Sequence, residues 1–400
     1  GVIKMISSSM QMGWIDFSQK ERGDVTTILR FLGTPSALDE IGIGTIRDGF
    51  SNHLFPGLST QQTRAKYFVL IPYLFSTAEK QRFIRRGDVG AWIHRQEDAL
   101  VKTLVENSGS GELGIIGTRN LKQGKPLVRK PSDIYWTGLR AASILRWPDL
   151  PFEDVCSILY ARQQDKKSIH LKAESDEAGS DDTDAANGEQ VLFTPITAGY
   201  DLFSAASIDL TYPEATYLRE RFLDSEGTKN SLMAYLLKHP DAVCDQFEEI
   251  DTRSMPRELA AITDLAKDFS GFIYGAHLLY NVIFSDDQDK DMARDFEAWK
   301  EEEYHANDLD SVIGVTGCSA SAGAFIHQFD SCISKDDISS ARECIILREK
   351  IMKRDRAKLG HPDQYQRIHD HRLNYRYNIG KQMLSDIFSG LEGYHGPQII

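Results

Sequence analysis

Arg64 and Lys66, two positions apart at the head of a long apolar run, are the side chains in this sequence best placed to hold an anion. They lie in the stretch Gly42 to Phe75, GIGTIRDGFSNHLFPGLSTQQTRAKYFVLIPYLF. Ser59 followed by Gln62 is a capping-box pattern, so the spacing predicts a helix that opens at Ser59-Thr60 and carries Arg64 about one turn inside. Free amides at a helix start with a guanidinium beside them suit a phosphate. Ser59, Thr60, Arg64 and Lys66 are therefore the anion-binding candidates. The blander use of the same residues is a capped helix with Arg64 paired to Asp48, because buried charges are most often structural pairs. An enzyme of phosphodiester or nucleotide chemistry would recruit Asp48 or Glu97 as acid, base or metal ligand.

A second concentration of charge follows at 113–131, LGIIGTRNLKQGKPLVRKP, with five Lys/Arg and no acid. Short apolar pieces around a Gly-rich loop predict a small β-hairpin, and helices followed by a basic hairpin would match a winged-helix arrangement, in which the hairpin lies along a phosphate backbone. Arg119, Lys122, Lys125, Arg129 and Lys130 are the nucleic-acid candidates. A solvated basic turn explains the same letters. Other motifs fail on context. Gly109-x-Gly111-x-x-Gly114 has no strand before it and no helix after it. Asp287, Asp289 and Asp291 begin like a calcium loop, but Met292 stands where glycine is required. Glu302-x-x-His305 lacks a second copy, and His369-x-His371 lacks a cysteine nearby.

The elements that must position these residues read mainly as helices. Ser18 and Glu21 cap an amphipathic run through Leu32; a short helix with Ile46, Phe50 and Leu54 should stop at Pro56-Gly57; Asp88 can cap a long helix bearing Trp92, Leu100 and Leu104. Pro72 is expected to kink or end the helix it sits in. Further helices are predicted from Ser132 and over 151–164. Residues 173–190 hold seven acids, no base and no large apolar residue, the composition of a mobile spacer. Beyond it, Pro256 opens the strongest helix, with Leu259, Ile262, Leu265, Phe269, Phe272 and Ile273 beginning a stripe of some seven turns. Later helices are predicted over roughly 289–306, 321–333, 336–358 and 364–389. In the last, Tyr365, Tyr375 and Tyr377 alternate with bases and either stack on nucleobases or, more simply, cover a helix contact.

Net charge is −13, unevenly spread. Residues 1–150 carry 20 Lys/Arg against 14 Asp/Glu, residues 342–381 carry 11 against 5, and the intervening 151–341 carry 15 against 38. Basic ends around an acidic middle leave nucleic-acid contact open despite the acidic total. Five scattered cysteines without a Cys-x-x-Cys pair read as reduced thiols, and no apolar run approaches the ~18 residues of a membrane span. The expectation is a cytoplasmic protein with no resident metal or cofactor.

Several stretches carry a resemblance. Gly13-Trp14-Ile15-Asp16-Phe17-Ser18, the run from Glu40 to Phe68, Pro131 to Leu139, Leu373 to Tyr377 and Asp386-Ile387-Phe388 together resemble an uncharacterised bacterial domain-of-unknown-function family; Ile41 stands where the family pattern has leucine. The resemblance implies membership of anti-phage defence islands, beside helicase-like and phospholipase-D-like nuclease genes. It brings no catalytic residues. The resulting expectation is a mainly α protein: a helical domain with a basic hairpin over 1–165, an acidic linker over 166–195 and an all-helical bundle over 196–400. Its expected role is a non-catalytic accessory subunit that binds DNA or a partner helicase or nuclease. The alternatives are the enzyme built on Asp48, Arg64 and Lys66, and a protein-interaction scaffold.

Overall fold

The structure, a computed structural model, describes residues 39–108, 114–175, 191–368 and 371–392. The Gly13 to Ser18 opening and its helix, Gly109 and Gly111, the acidic residues 176–190 and His369 lie outside the described residues. The described residues belong to one compact unit.

The first helix, α1 (Gly44–Leu54), stops where expected, and Gly57 at φ +78° makes the turn. That glycine is required twice over, since a Cβ there would lie 2.6 Å from the Ala141 Cβ. Before α1, Arg348 holds the chain by donating to the carbonyls of Ile41 (2.8 Å) and Gly42 (2.7 Å). The helix predicted from Ser59 does not form. Residues 59–66 make turns, because Gln62 donates its side-chain amide to the carbonyls of Gly57 (3.0 Å) and Ile134 (3.3 Å) and so cannot close a capping box. The helix, α2 (Tyr67–Ala78), starts only at Tyr67. It runs through Pro72: nine consecutive buried side chains from Tyr67 to Phe75 outweigh the one backbone bond that proline removes. A helix apolar on every side belongs in a core, and α2 is packed by α3 (Gly87–Asn107) and α5 (Pro131–Ala141).

No hairpin exists at 113–131. Described residues there form a turn, the five-residue α4 (Thr118–Lys122) and a second turn, with Gly117 and Gly124 at φ +93° and +62°. Leu127 folds back onto Gly117, where a Cβ would lie 1.9 Å from a Leu127 methyl, so the apolar pieces read as two strands instead close a loop. The strand signal is confined, among the described residues, to one bridge between Leu145 and Phe193. With the hairpin goes the winged-helix arrangement. The next helix, α6 (Phe152–Ser175), runs past its predicted end at 164. Leu192 and Phe193, inside the expected linker segment, are buried.

The remaining helices are α7 (Leu202–Ala205), α8 (Tyr212–Asp224), α9 (Leu232–Lys238), α10 (Arg257–Phe284), α11 (Lys290–Ala298), α12 (Leu309–Thr316), α13 (Ala320–Ser334), α14 (Ile338–Lys353) and α15 (Tyr377–Glu392). As predicted, α10 is the spine of this part, 28 residues packed against α1, α11, α12 and α14. Trp299 lies over Gly275 of α10 and donates its indole N–H to the Gly271 carbonyl at 2.8 Å. The helix predicted over 364–389 begins only at Tyr377. Asn281 pairs with both backbone groups of Ile368 (2.6 and 2.9 Å), and Tyr375 and Arg376 adopt φ +49° and +69°, so helical geometry cannot pass through them. Tyr375 and Tyr377 are buried, which makes them core side chains and not stacking platforms. No helix among the described residues is long and apolar enough to cross a membrane.

Candidate functional site

Arg64 sits in the irregular turn ahead of α2, with its backbone held by a single phenol. The Tyr135 hydroxyl on α5 accepts from the amides of Thr63 (2.8 Å) and Arg64 (3.0 Å) and donates to the Arg64 carbonyl (2.9 Å). Burial pushes this phenol up to about 12, so it stays a donor at every ordinary pH. The next amide, Ala65 N, donates to Asp386 Oδ2 of α15 at 2.8 Å, and Arg64 Nε lies 2.9 Å from both oxygens of that carboxylate. Gln382, one turn earlier on α15, donates to Asp386 at 3.0 Å. The far end of the guanidinium meets Asp209 at 2.9 Å. Burial disfavours the Arg64 charge, and the two carboxylates more than offset it, so its pKa is raised.

An amide and a guanidinium do converge on an anion here, and that anion is the protein's own. A groove of about 590 Å³ opens beside it, lined by Thr63, Arg64, Asp209, Gln382, Ser385 and Asp386 among others. Its size suits a small ligand, but it sets two carboxylates against one guanidinium, and a phosphate entering it would have to displace Asp209.

Lys66 faces away from solvent. Its ammonium lies 2.6 Å from Glu214 Oε2 and donates to the Asp209 carbonyl at 2.9 Å, above the Tyr200 ring. Glu214 also accepts from Tyr200 (2.6 Å) and from the Thr211 amide (2.8 Å). Burial works against ionisation of this carboxyl, but Lys66 and these donors outweigh it and hold it below the usual range. Asp48 is elsewhere, shared by Arg376 (3.1 Å) and Arg47 (3.3 Å). Ser59 is half-buried with its carbonyl accepting from the Gln62 amide, and Thr60 is exposed. Glu97 caps α5, accepting from Ser132 N at 2.6 Å; burial pushes its carboxyl up to about 8 against the pull of that bond. The cavity beside it is about 10 Å³, too small for more than one water.

The five cations of the basic loop divide. Arg119, Lys122 and Lys125 are exposed, whereas Arg129 bonds Gln61 and Lys130 is clamped to Asp98 at 2.7 Å. The loop at 79–86, which sequence reasoning passed over, exposes Lys80, Arg82, Arg85 and Arg86; four Lys/Arg within seven residues was the available signal. The carboxylates of the false calcium loop serve as arginine partners, Asp287 for Arg342 and Asp289 for Arg367. Among the described residues no three His, Cys, Asp or Glu side chains are grouped to hold a metal ion.

Tyr135 and Asp386 fall within stretches that carry the family resemblance, but nothing local marked them, Asp209 or Glu214 as partners of Arg64 or Lys66, which each meets from 71 to 322 positions away. Neither a curated protein nor a solved structure matches the chain. The sequence model of a family of unknown function, DUF6361, spans residues 9–390, taking in both Arg64 and Asp386 and nearly everything around them, and the chain belongs to that family.

Proposed function

We propose that this protein is a non-catalytic binding subunit whose basic loop, Arg119, Lys122 and Lys125, contacts the phosphate backbone of a nucleic acid. The observation that carries this reading is where the candidate charges lie. Asp48, Arg64, Lys66 and Glu97 are each bonded to different partners and share no pocket, so the constellation a phosphodiester enzyme requires is not assembled from them. The three loop cations face solvent. The resemblance described above adds the setting: an accessory role in an anti-phage defence system, working with a helicase-like or phospholipase-D-like nuclease partner on DNA.

The test is fluorescence-anisotropy titration of single- and double-stranded DNA over a salt series, with wild type beside Arg119→Glu/Lys122→Glu/Lys125→Glu. Binding should weaken steeply with salt, and the log–log slope should fall by roughly 2 to 3 in the triple variant, because each lost phosphate contact removes about 0.7 to 0.9. No binding by wild type at low salt would overturn the reading and direct attention to protein partners.

A further inference from the structure

Two loops are tied to one exposed face of α3. Asp88 accepts from the Arg85 amide at 3.0 Å and so ties the end of the 79–86 loop to the start of the helix. Asp98 accepts from the Leu127 amide at 3.0 Å and clamps Lys130 at 2.7 Å, which lays the 124–130 segment over the middle of the helix. A period of 3.6 residues brings positions 88, 95, 98 and 102 to within about 80° of one another. Arg95 and Lys102 therefore stand on the face that the two aspartates use, and both are exposed. Ten residues at 1.5 Å of rise set the anchors roughly 15 Å apart.

Charge favours one sign along this track. Residues 79–107 and 114–130 carry eleven Lys/Arg against five Asp/Glu, and one of the five, Glu97, is buried. Apolar side chains stand among the cations: Ile84 is 86% exposed and Val128 is 91% exposed. Neither has a folding role at that exposure, and both could rest on sugar or base once the flanking cations hold phosphate.

We infer that the two loops are the arms of a single clasp on a nucleic-acid strand. This rests on the reading of the 119–125 cations as a phosphate contact and adds a second arm, Lys80, Arg82 and Arg85, with a minimum length of ligand. Roughly 15 Å corresponds to four or five nucleotide steps at about 3.4 Å along a duplex strand. A strand shorter than that reaches one arm at a time; a longer one engages both, and the second contact becomes intramolecular.

The experiment compares wild type with Lys80→Glu/Arg82→Glu/Arg85→Glu by anisotropy on labelled oligonucleotides of about 4 and about 20 nucleotides at low salt, after circular dichroism has shown equal helix content and melting. On the long strand the variant should bind about 10-fold or more weakly, with a salt slope lower by roughly 2. On the short strand it should lose no more than about twofold, the statistical cost of one of two equivalent arms. A variant that binds the long strand like wild type overturns the second arm and leaves the basic-loop reading standing. Equal losses at both lengths overturn the clasp in favour of a single site at 79–86. If wild type binds neither strand, both readings fail, and loss of wild-type binding to phosphatidylserine vesicles in the variant would assign the surface to a membrane.

Discussion

At the residue scale, the decisive side chains are those that seek a counter-charge and find it inside the fold. Asp386 accepts from Arg64 Nε, the Ala65 amide and Gln382, and only 4% of its side chain is exposed. Asp386→Asn keeps the size and one acceptor but strands most of the Arg64 charge, so stability should fall by about 2 kcal/mol, read as a lower urea midpoint at unchanged slope. A shift too small to measure would mean that the joint contributes little. Glu97 gives a pH signature. Its carboxyl titrates near the ordinary 4.5 when unfolded and at about 8 when folded, so the unfolded chain gives up its proton first. Stability is therefore greatest below about pH 4.5 and declines as pH rises towards 8, by up to about 1.4 kcal/mol per pH unit from this group. Glu97→Gln should flatten the decline while keeping an acceptor for Ser132, and denaturant curves at pH 5 and 8 would detect it. The sequence marked Arg64 and Lys66 as candidates to hold a phosphate, and in the fold both charges are met by the protein's own carboxylates. It could not reveal that the anions were Asp386 and Glu214, because nothing local to either carboxylate points to a partner 322 or 148 positions away.

At the element scale, helices with an unbroken apolar stripe were legible and those defined by tertiary bonds were not. The stripe of α10 named the spine directly, and α13 and α14 lie close to their predicted spans. The eight-residue α12 carries too short a pattern to stand out, and the stretch before α15 reads as helix until the Asn281 pairing and two left-handed residues stop it. The basic loop reads as a hairpin because glycine is shared by hairpins and by loops, and only the packing of Leu127 on Gly117 decides between them. Two glycines in helices separate packing from propensity. In α10, a Cβ on Gly275 would lie 2.3 Å from the Trp299 ring, so Gly275→Ala should cost about 1 to 3 kcal/mol by forcing that ring off the helix. In α12, Gly314 has nothing within 4 Å, and Gly314→Ala should stabilise by about 0.5 to 1 kcal/mol. Thermal melting of both variants checks the contrast, and equal effects would contradict it.

At the scale of the whole molecule, the basic N-terminal portion and the later helices share buried charge. Lys66 is 1% exposed and depends on Glu214, and the Arg64 turn depends on Asp386 and Asp209. Residues 39–165 expressed alone should therefore leave an uncompensated buried ammonium at Lys66, residues 191–400 alone an uncompensated buried carboxylate at Glu214, and each should lack near-ultraviolet dichroism, whereas co-expression of the two pieces should restore it. A native-like spectrum from either piece alone would show that these ion pairs join parts already folded. The charge asymmetry read from the sequence remains visible at this scale, in the cations of the two loops along α3, but of the acidic partners of Arg64 and Lys66 only Asp209 and Glu214 come from the acidic middle, while Asp386 lies beyond the basic segment 342–381.

The reach from Arg64 to Asp386 also sets a clock on synthesis. A ribosome adding about 5 to 20 residues per second needs roughly 16 to 64 seconds to deliver the carboxylate after the guanidinium has been made. Through that interval the turn before α2 holds a charge without its chief partner while its apolar helix is already out. The nascent chain must stay unaggregated until α15 emerges, and any codon or chaperone that slows or shields that wait acts on this bond.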